Sequence, residues 1–439
     1  MPLTKTPANA SSQFLKRQAA SLLLYQSVLR NDVGRAFIHI LQTLSKGEAE
    51  QTACLVAYGN WFKTLAAHRE NWQDYLIRQI LQDDNPFSVQ VQRVALDDLP
   101  EALVTAAQQD LHALQHLSEC SAEQLSRWVQ KASQLEAQPV SWNLETVQPT
   151  FLHQQSDWTE SLAELATHYQ QHGTGLFAQY HALRWQSGQL VGIAHPDPIQ
   201  LTQLVGYESQ QATLVKNTEF LLAGYPALHV LLYGSRGTGK SSLVKGLLQN
   251  YKNQGLRLIE VAKSDLNDLP MIVEQLRDIP QKFIIFVDDL SFEEDDDAFK
   301  ALKVVLEGSV TARSQNVVVY ATSNRRHLVR EFFTDRPRPS DNDEIHAWDT
   351  LQEKLSFSDR FGLTLTFEPT NQDAYLNIVY HLAQQAGINL PQNDLKSRAI
   401  QWATRHNGRS GRSARQFVDF LSADLGIHPV DRVERTNDQ

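Results

Sequence analysis

Cysteine is almost missing from this chain: Cys54 and Cys120 are the only two in 439 residues, they lie far apart, and neither has partners at metal-ligand spacing. That excludes a disulfide framework and a zinc site, and both thiols are expected as small buried apolar residues. Long apolar runs are missing too. No stretch approaches the ~20 residues a membrane-spanning helix needs, and the opening segment MPLTKTPANASSQFLKRQAA lacks the apolar core of a secretory signal. The expectation is a cytoplasmic chain with no membrane partner. Excess positive charge is also absent. The 40 Lys and Arg against 50 Asp and Glu leave a net charge of −10, which argues against wholesale coating of nucleic acid, although a local basic face stays open. No internal repeat and no Asn-Lys-x-Asp guanine signature occur.

At 439 residues the chain has room for two or three domains with cores of their own. From about Ser12 to Gln171 it is rich in Leu, Ala, Gln and Glu, with apolar residues three and four apart, as in Leu111, Leu114 and Leu117. This half predicts an all-helical domain. Turn signals at Asn85-Pro86, Leu99-Pro100 and Pro139 divide it into five to eight helices. Trp61, Trp72, Tyr75, Trp128, Trp142 and Trp158 sit at helical spacing and read as core before they read as a binding surface. The stretch Ala182 to Ile193 has the texture of a short hairpin or extended linker.

Beyond His195-Pro196-Asp197-Pro198 short β-rich runs alternate with helices. Five strands are predicted: Leu228 to Tyr233, Leu256 to Ala262, Phe283 to Val287, Asn316 to Ala321 and Leu363 to Phe367. Their continuous Val, Ile, Leu and Phe runs fit a parallel sheet covered by helices on both faces, an α/β sandwich. Helices are expected again over Asn371 to Ala386, Asn393 to His406 and Ser413 to Leu425, as a small lid. The expected division is a helical N-terminal domain over 1–190 that recognises a partner, an α/β core over 191–369, a lid over 370–427 and a tail over 428–439.

The chemistry starts at Gly234-Ser235-Arg236-Gly237-Thr238-Gly239-Lys240-Ser241, a G-x-x-x-x-G-K-S phosphate-binding loop between a predicted strand and a helix that runs on from Ser242. Glycines let successive N–H groups wrap a phosphate, and the helix presents the positive end of its dipole to the same charge. The motif predicts a bound nucleoside triphosphate, with Lys240 on the β/γ-phosphates and Ser241 on Mg²⁺. Forty-eight positions past Lys240 (288 − 240), the strand Phe283 to Val287 runs into Asp288 and Asp289. Asp288 is expected to hold Mg²⁺ and Asp289 to activate the attacking water. Glu is the commoner residue at the second place. Aspartate is shorter by roughly 1.5 Å, comparable to displacements that slow catalysis about a hundredfold, so hydrolysis is expected to be slow or assisted. Glu293 and Glu294 are candidate substitutes. Another apolar strand ends in Thr322-Ser323-Asn324, which makes Asn324 the candidate to sense the γ-phosphate and orient water.

The ordered set GSRGTGKS, FIIFVDDL, VVVYATSNRRHL, FSDRFGL and SGRSARQF is similar to that of the AAA+ ATPases. The pairing of TSNRRHL with EKLSFSDRFGL resembles a bacterial group catalogued only as a domain of unknown function, number 815. The resemblance spans about Asp197 to Leu425. It implies a P-loop sheet in the order 5-1-4-3-2 with the C-terminal helices as its lid, and ATP as the nucleotide. It also implies that Arg360 reaches the γ-phosphate of a neighbouring subunit, making a homo-oligomer with composite sites. Pairing of Arg360 with a carboxylate at a domain seam is the structural alternative. Arg415 takes the place of an arginine that contacts phosphates in cis, with Arg412 its nearest competitor. Val205 and Gly206, next to Tyr207, fall beside the adenine. Arg325, Arg326, Arg330, Arg336 and Arg338 are candidates for a subunit interface, a solvated loop or nucleic acid. The favoured function is an ATPase using Mg²⁺ to remodel or load an unknown protein or nucleic-acid client. An ATP-bound scaffold with slow hydrolysis is the alternative, and the paired arginines and lid speak against a small-molecule kinase.

Overall fold

The computed structural model describes residues 7–45, 51–146, 148–292, 297–307, 314–324, 357–406 and 408–427. The chain packs as two compact units, Met1–Gln179 and Tyr180–Gln439.

The first unit is all-helical. Its helices are α1 Pro7–Ala20, α2 Asp32–Leu44, α3 Gln51–His68, α4 Trp72–Leu81, α5 Pro86–Gln90, α6 Glu101–Ser118, α7 Ala122–Ser133, α8 Phe151–Gln154, α9 Leu162–His172 and α10 Gly175–Gln179. Seven of these exceed two turns, and the excess over the expected number comes from the single-turn pieces α5, α8 and α10. Side-chain caps start several of them: Asn31, Asn71 and Ser121 accept the backbone N–H groups of Gly34, Asp74 and Gln124. At α5, Asn85 and Ser88 cap each other ahead of Pro86. The aromatic residues are core, as expected. Trp61, Trp72, Tyr75, Trp128 and Trp158 are buried, with Trp142 packed partly buried against them. Phe37 stacks on Trp72 at 4.2 Å, and the indole N–H groups of Trp72 and Trp158 donate to the carbonyls of Leu117 and Leu152. Cys54 and Cys120 are buried, and burial pushes the Cys120 thiol up to about 12.

The buried carboxylate of Asp110 on α6 ties the chain after α1 to the bundle by accepting the backbone N–H groups of Leu23, Leu24 and Tyr25. Removing an acceptor that serves three main-chain donors leaves all three unsatisfied. Asp110→Ala should therefore destabilise this unit by about 3 kcal/mol in urea unfolding. His168 supplies a pH dependence. Burial, with His172 adding to it, holds its imidazole down at about 4 against an ordinary 6.5. The unfolded chain thus takes up this proton before the folded chain does, so stability falls as pH drops from 6.5 towards 4. The urea midpoint should decline over that window, and decline less in His168→Gln.

The second unit is built on a sheet of seven strands: β1 Ala182–Gln186, β2 Gln189–Gly192, β3 Val230–Gly234, β4 Leu256–Glu260, β5 Lys282–Val287, β6 Val317–Ser323 and β7 Leu363–Phe367. Their order is β2-β1-β4-β5-β6-β3-β7. The five expected strands are all there, mutually parallel, and in the order 5-1-4-3-2 counted from the β7 edge. Strand β6 is buried along its whole length and β5 along all but its first residue, as the unbroken apolar runs require. Two strands were not expected in this sheet. The 182–192 segment is a hairpin whose turn, Ser187-Gly188, has positive φ at both residues, the form that matches strand twist. Strand β1 pairs in parallel with β4, buries Leu183 and Trp185, and joins Arg184 to Glu260 at 2.7 Å. The packing boundary consequently falls at 179/180 and not at 190/191, because the hairpin extends the sheet.

Helices α11 Glu208–Leu222, α12 Lys240–Tyr251, α13 Leu269–Leu276 and α14 Asp297–Glu307 accompany the sheet. Three more, α15 Gln372–Gln385, α16 Gln392–Arg405 and α17 Gly411–Ile427, form the C-terminal bundle. That bundle has its own small core, including Tyr375, Val379, Leu395, Ala399, Phe417 and Leu421.

Candidate functional site

Parallel strands all end on one side, and the loops that leave those ends form a cavity of about 540 Å³, within the range of small-molecule sites. Its wall has two characters. Arg236, Gly237, Thr238, Gly239, Lys240, Ser241 and Ser242 line one part together with Asp288, Asp289, Asn324, Arg412 and Arg415. Ile199, Leu204, Val205, Tyr207, Ile378 and Leu382 line the other. A ligand with a highly anionic end and a flat apolar end matches such a wall.

The loop is shaped by its glycines at two places, one for lack of space and one for backbone conformation. At Gly234, φ is +143° and a Cβ would come within 1.9 Å of the Phe367 carbonyl oxygen on β7. At Gly239, φ is +91°, the left-handed residue from which α12 starts. Gly234 and Ser235 form the back of the loop, where their carbonyls accept from Lys240 Nζ at 2.9 and 2.7 Å. Lys240 is only 6% exposed, and its third contact is Asn324 Oδ1 at 3.4 Å. Burial lowers its pKa, while Asp288 and Asp289 act in the opposite direction. The ammonium is thus stored against the loop's own oxygens.

The acids stand opposite. Asp288 Oδ1 accepts the hydroxyls of Ser241, at 2.7 Å, and Thr322. Asp289 Oδ1 accepts from Asn324 Nδ2 at 2.6 Å, so Asn324 bridges the lysine and the second acid. Ser241 and Asp288 are hard oxygen donors beside an anion pocket, the set Mg²⁺ takes when phosphate and water complete its shell. Among the described residues no group of three or more His, Cys, Asp and Glu could hold a metal by itself. Ser241 and Asp288 thus offer two ligands, part of a shell that phosphate and water oxygens could complete.

The lid reaches the loop directly. Arg412 N, in the first turn of α17, donates to the Gly237 carbonyl at 3.1 Å, and a Cβ on Gly411 would sit 3.1 Å from the same oxygen. Two helix N-termini, those of α12 and α17, thus converge on one place. The Arg415 guanidinium lies 3.5 Å from Gln203 Oε1, and His381 on α15 meets the Thr202 carbonyl at 2.8 Å, so the lid also contacts the segment carrying Val205. Val205 lines the cavity. Gly206 does not: its N–H is taken by Glu208, whose carboxyl that bond holds below the usual range. The Tyr207 ring lies tilted against Phe367 at 4.9 Å, and its hydroxyl donates to the Glu368 carbonyl.

Arg360 stands apart from the cavity, just before β7, with its guanidinium paired to Glu307 at the end of α14. Glu293, Glu294, Arg325, Arg326, Arg330, Arg336 and Arg338 lie outside the described residues. Sequence reasoning missed Gln203, Thr322, Ile378, Leu382 and Gln416. Ile378 and Leu382 are spaced i, i+4 on α15, a pattern no different from lid core. Thr322 alone carried a signal, a hydroxyl ending a buried strand two residues before Asn324.

Sheet order, loop, paired acids and helical lid together make a fold of the AAA+ type, a parallel α/β core with a P-loop and a helical lid. The chain belongs to the family described as "Protein of unknown function (DUF815)", which it matches over residues 178–425, more than half its length. No curated protein matches the sequence. Among solved structures it is similar to the Thermotoga maritima RuvB Holliday junction branch migration motor, at 14% identity and a TM-score of 0.38, covering 54% of this chain and 68% of that one. Two single-residue variants of that motor match at 15% identity and the same TM-score, with 54% of this chain and 68% and 69% of theirs covered.

The two lid arginines are separable by geometry. Arg412 meets the loop through its main-chain N–H, and its side-chain charge acts on Lys240, whereas the Arg415 guanidinium points to Gln203. Arg412→Ala should weaken ATP binding about tenfold, the loss of one charge-assisted contact. Arg415→Ala should weaken it less. Calorimetric titration of both variants with ATP and ADP checks the order.

Proposed function

We propose that this protein hydrolyses ATP with Mg²⁺ and uses the cycle to remodel or load a protein or nucleic-acid client. The observation that carries the proposal is the convergence, in one cavity, of the loop lysine, the Ser241–Asp288 pair, the Asp289–Asn324 pair and the two lid arginines. Lys240 would leave the Gly234 and Ser235 carbonyls for the β/γ-phosphates, and the loop N–H groups would take the oxygens around it. The apolar part, with Val205, would hold the adenine. Ser241 and Asp288 would hold Mg²⁺, which would supply positive charge to offset that of the phosphates. Asp289 would accept the proton of the attacking water, and Asn324 would orient that water.

Arg360 would serve a second copy of the chain in a homo-oligomer. Its place outside its own cavity and before β7 supports that role, and Glu307 is the partner it would leave. The helical unit would bind the client, the α/β core, which includes the 182–192 hairpin, would hold nucleotide, and the lid over 370–427 would report its state. One observation favours a second outcome, an ATP-bound assembly switch with slow turnover: Asp289 is short, and Asn324 already engages its carboxylate at 2.6 Å.

Single-turnover phosphate release with Mg²⁺, measured over a range of protein concentrations, tests this. Release is expected to rise with concentration and to fall by about 10³-fold in Arg360→Ala. Stable retention of ATP without phosphate release would establish the switch in its place. A chain that ignores millimolar ATP would overturn both.

A further inference from the structure

Successive residues of a strand point to opposite faces. Asp288 and Asp289 nevertheless line the same cavity. The backbone reconciles the two facts by leaving the extended conformation: β5 ends at Val287, and Asp289 adopts φ +53°, the left-handed region. A residue with a side chain stays there only where its surroundings enforce it.

We infer that Thr322 is the positioning residue that holds this turn and so places both acids for metal binding and hydrolysis. It rests on the hydrolytic function proposed above. Thr322 is 2% exposed and touches three consecutive residues of the facing strand end. Its Oγ1 accepts the Asp289 N–H at 2.9 Å, its carbonyl accepts the Leu290 N–H at 2.7 Å, and its hydroxyl proton goes to Asp288 Oδ1. A hydroxyl has one proton to give, so donation to Asp288 turns a lone pair towards the Asp289 amide. The same Asp288 oxygen also takes the Ser241 hydroxyl, so Thr322 and Ser241 together set the plane of that carboxylate. Ser323 adds a stitch, donating to the Leu290 carbonyl at 2.8 Å. Each contact of Thr322 and Ser323 joins the end of β6 to the turn after β5. None is made by a residue that the loop lysine touches.

Valine has the shape of threonine without its hydroxyl, and serine keeps the hydroxyl without the methyl. The full chain is compared as wild type, Thr322→Val and Thr322→Ser. Affinity for a fluorescent ATP analogue is measured in EDTA and across a Mg²⁺ series, and single-turnover phosphate release is followed across the same series, so that the Mg²⁺ midpoint is read from binding as well as from release. Thr322→Val is expected to bind the metal-free nucleotide within about threefold of wild type, because the loop is untouched. Its phosphate release should fall by about 10- to 100-fold, and its half-saturating Mg²⁺ should rise by a similar order, as for groups that orient a metal ligand. Thr322→Ser should recover both to within about threefold. Wild-type rate and Mg²⁺ midpoint in Thr322→Val would overturn the role of Thr322. So would a serine variant as impaired as the valine one, which would assign the effect to packing of the methyl. If wild type binds ATP and releases no phosphate, the hydrolytic function alone fails. The Mg²⁺ midpoint then decides the matter for Thr322, and an unchanged midpoint in Thr322→Val overturns it. Wild-type chain that binds no nucleotide overturns both.

Discussion

A nearly buried ammonium has to be surrounded by oxygen, and at Lys240 that requirement organises the site. The backbone meets it by turning two loop carbonyls inwards, those of Gly234 and Ser235, and Asn324 adds a third oxygen. The same loop then presents Ser241 to Asp288 and leaves its Gly237 carbonyl facing outwards, where the lid helix α17 docks on it. Glycine at 234 is the condition for this, since β7 passes too close for any side chain. Loop, acids and lid are therefore one arrangement around one charge.

Its members are all paired with one another. Lys240 and Asp289 share the Asn324 amide, and Ser241 and Thr322 share one oxygen of Asp288. A polar network whose members satisfy one another in this way resists rearrangement, and it offers a phosphate ligand an exchange of partners in place of the capture of free groups. Whatever binds there must first displace interactions made at short range. Affinity then depends on how much better phosphate oxygens serve the lysine than peptide carbonyls do, which favours a ligand of high negative charge.

Much of the core was legible because its signals are local or nearly so. An unbroken apolar run such as Phe283 to Val287 marks a doubly covered strand, and G-x-x-x-x-G-K-S names its own backbone shape. The parallel order of the five central strands came with the family resemblance and agrees with the observed register. The hairpin at 182–192 was recognisable as a turn, but its addition to the sheet beside β4 depends on contacts some seventy residues away in sequence. Ile378 and Leu382 were hidden for a different reason: a residue that lines a cavity and one that fills a core have the same composition and spacing. Arg360 was expected to choose between a neighbour and a carboxylate in its own chain. In this single chain it is paired with Glu307, a residue that no spacing rule connects to it.

Strand β7 has Phe367, a cavity residue, at its last position, and Arg360 stands just before its first. Five extended residues put those two places more than about 13 Å apart, on opposite rims of a sheet. If Arg360 left Glu307 to serve a second copy, the rim offering its guanidinium and the rim opening the cavity would be unlike surfaces. Two copies joined through them cannot be related by a two-fold axis. Such a junction always leaves one rim and one pocket unsatisfied at the ends, so growth stops only when rotation brings the last copy round to the first, and otherwise proceeds as a helix.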